Sequence, residues 1–183
     1  MAQEEPRHEV SLQGTGFFTK DSQGRGLSQH ATDTGGFLVG YRYHFNRWIA
    51  AEANYGYVRN TQKNLTSTGA FNIQANVHEA TAALVVTPPV SLAKLRPYVL
   101  AGSGALVFDP TGNPRGFVSG AQRQAKAVFL YGGGVDYQVM RHVSLRAEYR
   151  GLVYKRPDFE IGSLNSDVIA HTAQPSVGIV FRF

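Results

Sequence analysis

Apolar and polar residues alternate with period two along nearly the whole chain, and a helical period of 3.6 is hard to find. The alternation predicts eight strands. The first, about 8–20, sets Val10, Leu12, Gly14, Gly16 and Phe18 on one face. The second, about 33–45, sets Phe37, Val39, Tyr41, Tyr43 and Phe45 against Gly40, Arg42 and His44. The third, about 48–60, opposes Ile49, Ala51, Ala53, Tyr55 and Tyr57 to Glu52, Asn54 and Gly56. In the fourth, about 72–87, apolar residues occupy both parities: Ile73 and Val77, then Ala80, Ala82 and Leu84. A bulge reconciles the two halves on this reading.

The fifth strand, about 95–108, groups Tyr98, Leu100, Gly102, Gly104, Leu106 and Phe108 as its apolar face. The sixth, about 124–138, groups Ala127, Phe129, Tyr131, Gly133, Val135 and Tyr137 opposite Lys126, Gly132, Gly134, Asp136 and Gln138. The seventh, about 142–154, sets Val143, Leu145, Ala147, Tyr149 and Val153 against Ser144, Arg146, Glu148 and Arg150. The eighth, about 169–183, alternates Val177, Ile179, Phe181 and Phe183 with Ser176, Gly178, Val180 and Arg182. Connections near 45–48, 87–95 and 138–142 are short; those near 20–33, 60–72, 109–123 and 155–168 are long and polar. An antiparallel up-and-down meander follows, in one domain spanning 1–183, with residues 1–7 as a disordered lead-in.

Two barrels fit such a meander, a soluble one with the apolar face inside and a membrane one with it outside. The strands are long enough for a tilted span of about 9–11 residues in hydrocarbon. The apolar face lacks charge across its middle, and aromatic residues gather near its ends, as in interfacial girdles. The opposite face carries five cations (Arg42, Lys126, Arg146, Arg150, Arg182) and four anions (Glu52, Glu79, Asp136, Glu148). A buried charge is costly unless paired, so near-balance is what a narrow lumen requires. The expected fold is therefore an all-β, eight-stranded antiparallel transmembrane barrel whose lumen is plugged by these nine residues, with room inside for side chains only.

Composition alone conceals this. The chain has 183 residues, 43% hydrophobic, and a formal net charge of +5. Its mean hydropathy of −0.21 is that of a soluble domain. No run of about 18 apolar residues is present, which excludes a transmembrane helix. Without cysteine there is no disulfide framework, thiolate zinc site or cysteine nucleophile. Twenty glycines and 11% aromatics suit a curved sheet.

Several segments are similar to the OmpA/OmpX-like family of small outer-membrane barrels. They are Val177-x-Ile179-x-Phe181-x-Phe183, Ala51-Glu52-Ala53-Asn54-Tyr55-Gly56-Tyr57 after Asn46-Arg47-Trp48, the run Arg96–Gly104, and Leu145-Arg146-Ala147-Glu148-Tyr149. The resemblance covers essentially the whole chain. It implies residence in the outer membrane of a Gram-negative-type bacterium, contact with outer-membrane lipid, and reading of Val177, Ile179, Phe181 and Phe183 as an insertion signal by the barrel assembly machinery. A peptidoglycan-binding domain of the OmpA kind is not expected, since the sequence stops at the last strand.

Candidate chemistry is sparse. The start Met1-Ala2-Gln3-Glu4-Glu5-Pro6 has no apolar signal segment. Six histidines (His8, His30, His44, His78, His142, His171) show no metal-ligand spacing. His78 and Glu79 are strand neighbours and face opposite ways, and His171 and Ser176 have opposite parity, so neither pair shares a site. The His-x-Ser-Asn run of lipid A deacylases is missing, as His171-Thr172-Ala173 stands in this chain. Gly102-Ser103-Gly104 and Gly132-Gly133-Gly134 lack the context of phosphate loops and fit barrel bends instead. No basic cluster interleaved with aromatics suggests nucleic acid. Lys20, Arg25, Arg59, Lys63, Arg115, Arg123, Lys155 and Arg156 fall in or beside the long loops, where lipopolysaccharide phosphates are a candidate partner. Asp21, Asp33, Asp109, Asp158, Glu160 and Asp167 lie there too, making a mixed rim. The expectation is a monomeric structural or interaction protein rather than an enzyme, with no cofactor, metal or catalytic group. A lipid A-modifying enzyme, a small-solute channel and a soluble lipocalin-like carrier are the alternatives.

Overall fold

A computed structural model describes residues 7–19, 34–66, 69–89, 94–110, 124–155 and 169–183. The strands are β1 (His8–Thr19), β2 (Thr34–His44), β3 (Ile49–Thr66), β4 (Gly69–Val86), β5 (Leu95–Pro110), β6 (Gln124–Gln138), β7 (Val143–Lys155) and β8 (Ile169–Arg182). Each pairs antiparallel with its neighbours in sequence, and β8 pairs with β1 to close the barrel. The pairing Glu9–Arg42–Glu52–Ala83–Gly102–Leu130–Leu152–Thr172 returns to β1 at Thr19, ten residues above its start. A stagger of that size in eight strands corresponds to a tilt of about 40°.

Closure satisfies the backbone without an edge, which hydrocarbon demands. The amide of His8 donates to the carbonyl of Phe183 at 3.1 Å, and Phe183 returns the bond at 3.0 Å. The same seam has one gap. Its ladder stops between Thr15–Ser176 and resumes at Phe18–Ala173, around Pro175, which has no N–H. The Thr15 hydroxyl lies 3.1 Å from the Pro175 carbonyl and 3.3 Å from that of Gly16, and so bridges the gap.

Parity settles as expected on β1, β2, β3, β6, β7 and β8, with the apolar set outward. Two expectations are corrected. On β5 the inward residues are Tyr98, Leu100, Gly102, Gly104 and Leu106, while Val99, Ala101, Ala105 and Val107 take the lipid side. Both parities of this strand are apolar, so alternation alone carried no sign. On β4 no bulge exists: the register runs unbroken from Ile49–Val86 to Thr66–Gly69. Val77 is simply an inward apolar residue, and Ala80, Ala82 and Leu84 face outward.

The expected loop near 60–72 is likewise mostly strand, because β3 and β4 stay paired up to Thr66–Gly69. Its residues, such as Thr61, Gln62 and Lys63, offer no apolar face to detect, yet backbone pairing does not need one. Residues 1–6 and the segments 20–33, 111–123 and 156–168 lie outside the described residues. Lys20, Arg25, Arg115, Arg123 and Arg156 fall there, as do Asp21, Asp33, Asp158, Glu160 and Asp167. Arg7, assigned to the lead-in, is already tied to the sheet: its carbonyl accepts a bond from His44 N at 2.8 Å.

Most outward aromatics form two belts, with Tyr41, Tyr55 and Tyr149 outward between them. Tyr43, Phe45, Trp48, Tyr137, Phe181 and Phe183 lie at the short-turn end, and Phe18, Phe37, Tyr57, Phe129 and Tyr131 toward the loop end. Between them stand aliphatic residues such as Leu12, Leu84, Val99 and Val177. Short turns mark the periplasmic end in such barrels, and long loops the outer surface.

The charged lumen as candidate functional site

Inward positions follow from parity. A strand residue two places from an inward one is also inward, so Arg146, Glu148 and Arg150 rise in file along β7. Arg146 is the hub. Its Nε and Nη2 donate to the two oxygens of Asp136 at 2.7 and 2.9 Å, a two-pronged pairing that fits the guanidinium fork. Nη2 also reaches Glu9 at 3.0 Å, and Nη1 reaches Glu52 at 3.4 Å. Arg42 sits on Glu52, donating from Nε at 2.6 Å. Arg150 donates to Glu148 at 2.5 Å and to Glu52 at 2.8 Å, with Glu79 at 3.7 Å. Arg182 joins Glu9 and Asp136, each at 2.8 Å.

Neutral groups complete the set. The Tyr98 hydroxyl donates to Glu148, and its ring lies beneath two guanidiniums, with Cζ of Arg42 at 4.3 Å and of Arg146 at 5.2 Å from the centroid. Gln174 donates to Glu79 at 2.8 Å and Asn54 to Glu52 at 2.9 Å. All eight strands contribute to this one assembly. Every carboxylate whose side chain is described, five in number, lies buried within it.

Of the nine expected lumen residues, eight come together: Arg42, Glu52, Glu79, Asp136, Arg146, Glu148, Arg150 and Arg182. Lys126 shares their inward parity but lies nearer the loop end. It is half-buried near the loop end of β6, opposite Leu106 and ten residues from Asp136, about 30 Å along the strand. Glu9, Tyr98 and Gln174 belong to the assembly and were not anticipated; His44, already expected on the inward face, joins it through Glu9. Glu9 was legible, since Glu9, Ser11, Gln13 and Thr15 form the polar parity of β1. Tyr98 was hidden by the reversed reading of β5.

The loop-end half of the lumen is mainly apolar, with Glu79 and Lys126 also inward there, both opposite Leu106. Phe17, Leu38, Val58, Val77, Leu106, Val128, Leu130 and Leu152 fill it and are all buried. The charges are thus capped by a hydrophobic layer above. Below, at the short-turn end, the lumen widens into a cavity of about 530 Å³.

The remaining candidates resolve simply. His78 faces outward and bonds Tyr55 at 2.8 Å, while Glu79 faces inward. His171 bonds Tyr131 on the outer face, and Ser176 lies inside against Gln13. Gly102 and Gly132 sit against the backbones of Ala82 and Tyr149, where no Cβ fits. Among the described residues no group of three metal-ligating side chains converges. Val177, Ile179, Phe181 and Phe183 all face lipid.

A closed sheet of eight strands, with its charged residues inside and its apolar face outside between two aromatic belts, defines a transmembrane barrel of the Gram-negative outer membrane. The chain belongs to the family of the outer membrane protein beta-barrel domain, whose model matches residues 1–183. It is similar in structure to Neisserial surface protein A (TM-score 0.68, 14% identity, covering 96% of this chain and 97% of that one). The same holds for OprG from Pseudomonas aeruginosa (0.68, 13%, 98% and 97%) and for Ail of Yersinia pestis (0.57, 18%, 98% and 99%). No curated protein sequence matches it.

Proposed function

We propose that the barrel is a non-conducting structural and interaction protein of the envelope, which holds its long loops at the cell surface. The observation that carries this reading is the lumen: a paired arginine–carboxylate assembly reaching every strand, beneath an apolar cap. A lumen filled by buried side chains supports a non-conducting barrel. Recordings in planar lipid bilayers are expected to show no open steps, and a reproducible open conductance of the purified protein overturns the reading.

The opposed placement of His171 and Ser176 supports a non-enzymatic role, with lipid A recovered unchanged by mass spectrometry after incubation. The partners in this reading are outer-membrane lipid, lipopolysaccharide phosphates at the loops, and the barrel assembly machinery, with the barrel itself monomeric. The outward set Val177, Ile179, Phe181 and Phe183 is the proposed insertion signal. Deleting Phe183 is expected to lower the amount of folded barrel recovered from the outer membrane of expressing cells, and unchanged recovery removes that role.

A further inference from the structure

The cavity at the short-turn end carries a charge imbalance that the lumen assembly does not use. Five arginines border it: Arg7, Arg42, Arg47, Arg96 and Arg182. Only two carboxylates do, Glu9 and Asp136. Both are already engaged, Glu9 by Arg182, Arg146 and His44, and Asp136 by Arg146 and Arg182. Arg42 and Arg182 face these acids. Arg7, Arg47 and Arg96 form no ion pair among the described residues, and all three are exposed. The surrounding rim adds Lys94 and Arg141, also exposed, and among the described residues it holds no exposed acidic side chain.

Three surplus guanidiniums thus converge from three parts of the chain: the start of β1, the turn before β3, and the start of β5. The turn is fixed, because Asn46 Oδ1 accepts from the amides of Trp48 and Ile49, each at 2.8 Å, which pins Arg47 beside the mouth. The floor of the cavity is the lumen assembly itself, so whatever enters does so from the periplasmic side.

We propose that this vestibule binds a phosphate-bearing anion. A planar carboxylate is satisfied by one guanidinium fork, whereas a phosphate offers oxygens in several directions to arginines arriving from several sides. A concave, low-dielectric wall strengthens their combined field. Two sources share this chemistry: a soluble phosphate in the periplasm, and the headgroup of an anionic phospholipid in the adjacent inner leaflet, at whose depth Phe45 and Trp48 border the cavity.

Trp48 is the sole tryptophan of the chain and borders this cavity, so its fluorescence is a probe at this site, with the double substitution below separating binding from a change in the surrounding lipid. The whole barrel is reconstituted in phosphatidylcholine nanodiscs and titrated with sodium phosphate against sodium chloride of equal ionic strength. In a second arm phosphatidylglycerol replaces part of the phosphatidylcholine. Line broadening of the ³¹P signal is followed in parallel, in case the indole is silent. A saturable response is expected in at least one arm: to phosphate if the ligand is soluble, to phosphatidylglycerol alone if it is a headgroup. Arg47→Gln combined with Arg96→Gln should weaken it about tenfold or more. Arg141→Gln, on the rim but outside the cavity, should leave it intact. No saturable response by either measurement in either arm, a response that chloride reproduces, or one that survives the double substitution overturns the proposal.

Discussion

Arg146 meets carboxylates from three strands, Glu9 on β1, Glu52 on β3 and Asp136 on β6. Its removal leaves three buried anions short of a partner. Breaking a buried pair in this way costs about 3–5 kcal/mol, far more than the pair contributes against an apolar replacement of both sides. Arg146→Ala is therefore expected to lower the unfolding free energy by about that amount, read by urea titration in lipid vesicles with Trp48 fluorescence. Arg146→Lys should recover only part of the loss, since an ammonium cannot span both oxygens of Asp136. A wild-type midpoint for Arg146→Ala contradicts the hub assignment. At this scale the sequence was informative where polarity interrupts an apolar strand, as at Arg146 and Glu52. It was silent on which inward charges meet: Lys126 and Arg150 look alike by parity, yet Arg150 pairs with Gly132, six residues nearer the short-turn end of β6 than Lys126.

Strands place their residues by parity and depth together. Leu84, 59% exposed on the outer face of β4, lies between the two aromatic belts. Leu84→Arg is expected to destabilise the barrel by about 2–4 kcal/mol, and Tyr43→Arg, in the lower belt, by about 0–1 kcal/mol. Equal costs at the two positions would contradict the assigned membrane depth. Inside, Gly102 lets β5 pass close to β4: a Cβ there collides with the Ala82 carbonyl and the Ala83 backbone. Gly102→Val should cost about 1–3 kcal/mol through strain, measured by the same titration. Faces and boundaries were legible wherever alternation had one apolar side. The face was misassigned on β5, where both sides are apolar, though its span was read correctly, and the boundary was missed beyond Arg59 on β3, where both sides are polar.

For the whole molecule, the stagger fixes the width of the lumen, and the width fixes what can fill it. Eight strands leave space for side chains rather than a channel, which is why charge near-balance could be anticipated from the sequence, whereas the apolar cap and the basic vestibule could not. Both depend on which inward residues reach the same depth, a property of the closed sheet. The intact barrel should need detergent or lipid for solubility and migrate faster on gels unheated than boiled. Identical migration in both states contradicts a barrel that survives the sample buffer.

The participation of every strand in one interior assembly has a consequence for how the molecule comes into being. A sheet lacking only β8 holds Glu9 and Asp136 without Arg182, and Glu79 without Gln174. It also presents two unpaired backbone edges to lipid, where nothing can satisfy them. Completing these interior pairs and sealing the wall therefore both wait on β8. The barrel is accordingly expected to unfold as a single cooperative unit, read as one transition by two probes in the same urea titration.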